Sequence, residues 1–165
     1  DLLVLGDTQI VTPDGTIHDD RTDRLEFAPR RKYRERLTAG AGYDDEHRAL
    51  LRELQTEQAT HRNRDGGYWI AEATPEAARH AITTHRPITD TPWTVLSTDG
   101  AYETMEHLGV ADWPHLAAAT TAELGAILRR CHDWEEREDP SASAMPRAKR
   151  HDDKCLAAVT FAADK

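Results

Sequence analysis

Two acidic positions in this chain stand where carboxylates can meet a cation. Asp99 follows the apolar run Trp93-Thr94-Val95-Leu96-Ser97 and precedes Gly100. Its side chain is expected at a strand's end, where the departing loop leaves room for solvent. Asp152, with Asp153 beside it, stands immediately before the last apolar run, Leu156 to Phe161. Carboxylates at the ends of neighbouring core strands suit Mg2+ or Mn2+, hard ions that take oxygen ligands and keep several waters. A pair of such ions lowers the pKa of a bound water and neutralises charge on a phosphoryl oxygen. Each position also has a plainer reading, because Asp-Gly after a strand makes an ordinary turn and Asp before a strand an ordinary solvated cap.

Other reactive residue types form weaker patterns. Nine histidines are scattered without an H-x-E or H-E-x-x-H spacing, so they read as surface or packing residues. Gly66-Gly67-Tyr68-Trp69 lacks the Gly-Lys-Ser/Thr ending of a phosphate loop and reads as a turn. Cys131 and Cys155 form no CxxC pair, which reads as reduced thiols in a cytoplasmic protein. The basic cluster Arg30, Arg31, Lys32, Arg34 and Arg36 has the chemistry to recruit an acidic or phosphorylated partner, although a solvated helix face is its default. Glu135-Glu136-Arg137-Glu138-Asp139 reads as a solvated helix end.

The elements that must position these residues follow from pattern. Leu2 to Leu5 and Gln9 to Thr12 lead into Pro13-Asp14-Gly15, a hairpin signal. Residues 18–42 are polar and read as an exposed connection or short surface helix. Leu50, Leu51, Leu54 and Ala59 recur at helical spacing from Asp44 onward, until Asn63 to Gly67 breaks the pattern. Tyr68 to Ala71 reads as a strand, Thr74-Pro75-Glu76 as a helix start, and Trp93 to Ser97 as a second clear strand. A helical turn over Ala101 to His107 and a loop through Pro114 follow. Thr120-Thr121-Ala122-Glu123 is a capping box that opens a longer helix, with Leu124, Ile127, Leu128, Cys131 and Trp134 as its buried stripe. Glu138 to His151 is loop chemistry, and Leu156 to Phe161 is expected as a buried closing strand. Strands mixed with long helices favour a layered α+β architecture.

Composition narrows the function classes. The chain has 165 residues, 38% apolar and 31% charged, which suits one water-soluble domain with a real core. No apolar run approaches the ~20 residues that cross a bilayer, so no membrane partner is expected. The net charge of −9 argues against nucleic acid, whose phosphates select basic surfaces. The chain opens without Met on residues that read as mid-strand, so earlier residues of the same domain are expected as a partner.

Three blocks resemble the C-terminal part of the PP2C family of metal-dependent protein serine/threonine phosphatases. Leu5-Gly6-Asp7-Thr8 is similar to the family's GDS-type strand and turn. Val95 to Glu103 is similar to its strand-to-DG block, and Asp152 to Val159 to its closing DD/DN block. The order matches, and residues 18–90 match only loosely. The resemblance implies a PP2C-like αββα sandwich over residues 1–165 whose N-terminal strands lie outside the chain. It implies Asp99 and Asp152 as ligands of one Mg2+ or Mn2+, with Gly100 and Asp153 as further candidates at the ion or just behind it. Asp7 is implied only as a turn-ordering residue. The implied activity is hydrolysis of phosphoserine or phosphothreonine by a metal-activated water attacking in line, on a phosphorylated protein or small phosphomonoester. Cys155 replaces a small residue, usually Thr. The family's N-terminal Asp-Gly block and phosphate-holding Arg are absent, so activity belongs to the complete domain and its two-metal centre. The competing readings are a non-catalytic PP2C-like regulatory module and an unrelated α+β interaction domain.

Overall fold

The computed structural model describes residues 1–161 and shows a mixed α+β fold. Strand β1 (Leu2–Val4) stands apart from the expected hairpin, which forms between β2 (Gln9–Thr12) and β3 (Gly15–His18) around Pro13-Asp14. β1 pairs instead with β4 (Ile82–Thr84) in a separate two-stranded antiparallel sheet, with Leu2 opposite Thr84. The larger sheet has the order β3-β2-β5-β6, where β5 is Trp93–Ser97 and β6 is Leu156–Thr160. Every neighbouring pair in it is antiparallel; Gln9 faces Ser97, and Ser97 faces Leu156.

Helices cover one face of this sheet. Val95, with Trp93, Leu156 and Ala158, packs against α3 (Asp99–His107), α4 (Trp113–Ala118) and α5 (Thr121–Arg137) through Ala101, Met105, Leu116, Leu124 and Cys131. Because side chains alternate along a strand, Leu96 and Val159 point to the other face. They are 39% and 38% exposed, and Phe161 is 36% exposed. The closing strand is therefore only half-buried, contrary to the expectation from its apolar run. A second core joins α1 (Ala28–Thr38) to α2 (Asp45–Ala59) through Phe27, Tyr33, Leu37, Leu50 and Leu54.

Four local expectations need correction. Of the two readings of residues 18–42 the helix forms, as α1, but it is no mere surface element, since it buries Tyr33 and Leu37. Tyr68–Ala71 is no strand; Tyr68 makes a single bridge to Arg62, and Trp69 stacks on His80 with ring centroids 3.6 Å apart. Gly67 permits that close turn, because a Cβ there would lie 1.8 Å from the His61 carbonyl oxygen. The Thr74-Pro75-Glu76 start yields only a 3-10 helix, Pro75–His80, without a side-chain cap. Trp113 and Pro114 open the helix α4, capped by Asp112. The Thr120–Glu123 capping box forms as expected. No helix among the described residues is long and apolar enough to cross a membrane.

Candidate functional site

Antiparallel pairing decides where the acids go. The end of β5 lies beside the start of β6 and the start of β2, because Ser97 faces both Leu156 and Gln9. Asp99 follows β5 by two residues, Asp152 precedes β6 by four, and Asp7 precedes β2 by two. All three line one cavity of about 310 Å³ at that end of the sheet. The sequence spacing thus led to Asp99 and Asp152 but passed over Asp7, which the pairing of β2 with β5 brings to the same place. Asp99 does not sit in a loop, as expected, but is the first residue of α3, where its Oδ1 accepts from the Gly100 N–H at 2.8 Å.

Thr98 fastens the two halves of the site together. Its hydroxyl donates to the Asp153 carbonyl oxygen at 3.0 Å and accepts from the Cys155 N–H at 3.1 Å. Its own N–H donates to the Cys155 carbonyl oxygen at 3.2 Å. Gly100 is needed against this bracket: a Cβ there would lie 2.7 Å from the Asp153 carbonyl oxygen and 2.9 Å from Asp152 Cβ. Gly100 therefore serves by its lack of a side chain. Asp153 contributes its backbone carbonyl to the bracket, while its side chain is exposed and outside the cavity lining.

A buried carboxylate pegs the acidic segment from behind. Glu135, expected on a solvated helix end, is 1% exposed. Its Oε1 lies 2.6 Å from Lys154 Nζ and accepts from Thr104 Oγ1 at 2.9 Å, and its Oε2 lies 3.1 Å from His151 Nδ1. His151 and Lys154 flank Asp152-Asp153, so Glu135 ties that pair to α5 and, through Thr104, to α3. Asp139, 2% exposed, plays a similar part for the preceding loop: it pairs with Arg147 at 2.7 Å and accepts from the N–H groups of Ala144 and Met145. From α2, His47 Nε2 lies 2.9 Å from the Ala148 carbonyl oxygen, and Tyr43, just before that helix, donates to the Lys149 carbonyl oxygen. None of these partners was legible in the sequence, because they gather from three elements and a loop.

Asp7, Asp99 and Asp152 repel one another in this cavity, whose lining also carries Arg30, Arg34, Arg147 and Lys149. Burial raises the Asp99 carboxyl above the ordinary range, and the charges of Asp7 and Asp152 raise it further; the Gly100 N–H and Lys149 oppose them. A positive ion among the three relieves both the repulsion and the lost hydration. Lys149 already supplies part of this, with Nζ 2.8 Å from Asp152 Oδ1. Its own pKa is raised, first by that hydrogen bond and also by the charges of Asp152, Asp153 and Asp99. Across the β2–β5 register, Gln9 Nε2 and Ser97 Oγ are buried with no hydrogen-bond partner among the described residues; neither lines the cavity. Within the described residues, the only three His, Cys, Asp or Glu ligand atoms within 4.8 Å of one another belong to His132, Asp133 and Glu136, all exposed on α5. Asp7, Asp99 and Asp152 do not each bring a ligand atom within 4.8 Å of the other two.

The fold and site define an α+β domain with an acidic cavity at the end of an antiparallel sheet, backed by buried ion pairs. Comparison with protein-family models, curated proteins and solved structures gave no match.

Proposed function

We propose that this chain carries part of a Mg2+- or Mn2+-dependent phosphomonoester hydrolase centre of PP2C type, acting on phosphoserine or phosphothreonine in the complete domain. The observation that carries the reading is the meeting of Asp7, Asp99 and Asp152, from three distant segments, in one cavity with Lys149. The blocks that resemble the family are the same three segments. Leu96, Val159 and Phe161 leave the β6 side of this face exposed, where an αββα sandwich would seat part of a second sheet, while Ile10 and Thr94 on the same face are already buried.

When bound, Mg2+ or Mn2+ supplies positive charge for phosphoryl oxygens and a water of lowered pKa. Asp99 and Asp152 hold the cation, and Asp7 adds negative charge that strengthens their grip. Lys149 takes up charge on Asp152 in the cation's absence and presents an ammonium to an incoming phosphate. Thr98, Gly100 and Glu135 keep Asp99 and Asp152 in register; they are positioning residues.

Mn2+ titration of the chain, followed by electron paramagnetic resonance, tests the ligand assignment. Asp99→Asn and Asp152→Asn should each weaken Mn2+ binding by about tenfold or more, since even outer partners of a metal site are worth that much. Equal affinity in the parent and both variants refutes the metal centre. In the complete protein, Mn2+-dependent hydrolysis of a phosphoserine peptide should fall with the same two substitutions.

A further inference from the structure

The cavity has a cationic wall that metal binding does not use. Within the basic cluster of α1, Arg31 pairs with Glu35, and Arg36 pairs with Asp44 and Glu46. Lys32 is exposed and lines none of the cavities that border α1. Arg30 and Arg34 differ from all of these. They stand one helical turn apart, line the same cavity as Asp7, Asp99 and Asp152, and have no carboxylate within 4.0 Å among the described residues. Burial raises the carboxyl of Glu103, which lines the same cavity, and the charge of Arg34 acts against that rise, but neither arginine is in a direct ion pair among the described residues. Arg30 is held in place by donating to the Thr22 carbonyl oxygen at 3.1 Å, with its guanidinium 5.2 Å from the Phe27 ring centroid. Arg34 is exposed and also lines the adjoining groove between α1 and α3, of about 1010 Å³.

We propose that Arg30 and Arg34 are the anion-binding arm of this cavity and grip a negatively charged group of a phosphorylated peptide while Asp99 and Asp152 hold the cation beside it. The inference rests on the phosphatase reading and adds a substrate-holding element from α1. Guanidinium groups bind phosphate and carboxylate oxygens through paired N–H donors, so the group gripped is the phosphoryl group or an acidic side chain next to it.

Two short fluorescent phosphoserine peptides, one flanked by alanine and one by aspartate, separate these sources in binding titrations with Mn2+ present. Arg34→Ala should weaken binding about tenfold, the scale of one hydrogen bond to a charged group. Lys32→Ala, which removes the same charge outside the cavity, should change it less than about twofold, as expected for a screened surface charge. Arg34→Lys should recover part of the loss and guards against a folding artefact. A loss for both peptides assigns the phosphoryl group, and a loss confined to the aspartate-flanked peptide assigns the neighbouring acid. If Arg34→Ala and Lys32→Ala have equal effects, or the parent chain binds neither peptide, the arm is refuted. Mn2+ affinity should not fall in Arg34→Ala, which removes a positive charge from the acidic cavity, so a metal centre that still needs Asp99 survives that failure.

Discussion

Removing the ammonium of Lys154 tests whether Glu135 is the peg that holds Asp152 in place. Lys154 Nζ lies 2.6 Å from Glu135 Oε1, with the two side chains 7% and 1% exposed, so the pair is almost fully desolvated. Lys154→Met keeps the apolar stem and leaves a buried carboxylate without its cation. Breaking such a pair from one side costs about 3–5 kcal/mol. Thr104 and His151 still face the carboxylate, which places the expected loss at the lower end, about 3 kcal/mol. With a urea slope of about 2 kcal/mol/M, the midpoint should fall by about 1.5 M at unchanged slope. Glu135→Leu combined with Lys154→Met should recover much of this, because replacing both charges by apolar groups removes the stranded charge. Mn2+ affinity should drop in Lys154→Met, since Asp152 lies two residues away and its carbonyl oxygen accepts from the same ammonium. A midpoint shift worth less than about 1 kcal/mol, the scale of an exposed pair, would refute the buried peg.

Two further outcomes follow from the same geometry. Burial alone would raise the Asp139 carboxyl, but the Ala144 N–H, the Arg147 guanidinium and the Met145 N–H outweigh it and hold it below the usual range. A depressed carboxyl stabilises the fold above its unfolded pKa of about 3.9, and that stability is lost as pH falls through the folded value. Arg147→Met should therefore cost most near neutral pH and progressively less below about pH 4, by urea unfolding; a cost independent of pH contradicts the assignment. Gly100→Ala forces a methyl against Asp152 and Asp153. It should cost about 1–3 kcal/mol, the range for overpacking, and weaken Mn2+ binding in the same titration. Unchanged stability and affinity would show that the close approach is unimportant.

Much of the chain's local structure was written in short-range signals. Pro13-Asp14-Gly15 fixes its hairpin because the turn needs only those residues, and Thr120 with Glu123 caps α5 because both partners lie within one turn. Tyr68 to Ala71 misled for the opposite reason: β-forming residues make a strand only when another strand is there to pair with them, and here only one bridge forms. Apolar content marked Leu156–Phe161 as a strand but not as half-buried, since burial depends on what covers the second face.

The sequence by itself determined that Asp99 lies just past β5 and Asp152 shortly before β6, because a strand's limits follow from its own residues and the turn beside it; that Asp99 opens α3 was not legible there. Tertiary structure alone decided that those ends lie together, that Asp7 joins them, and that Glu135 and Asp139 are buried behind them. Each of those facts depends on which strand pairs with which and on groups brought close from far along the chain, and no local rule of spacing encodes such meetings.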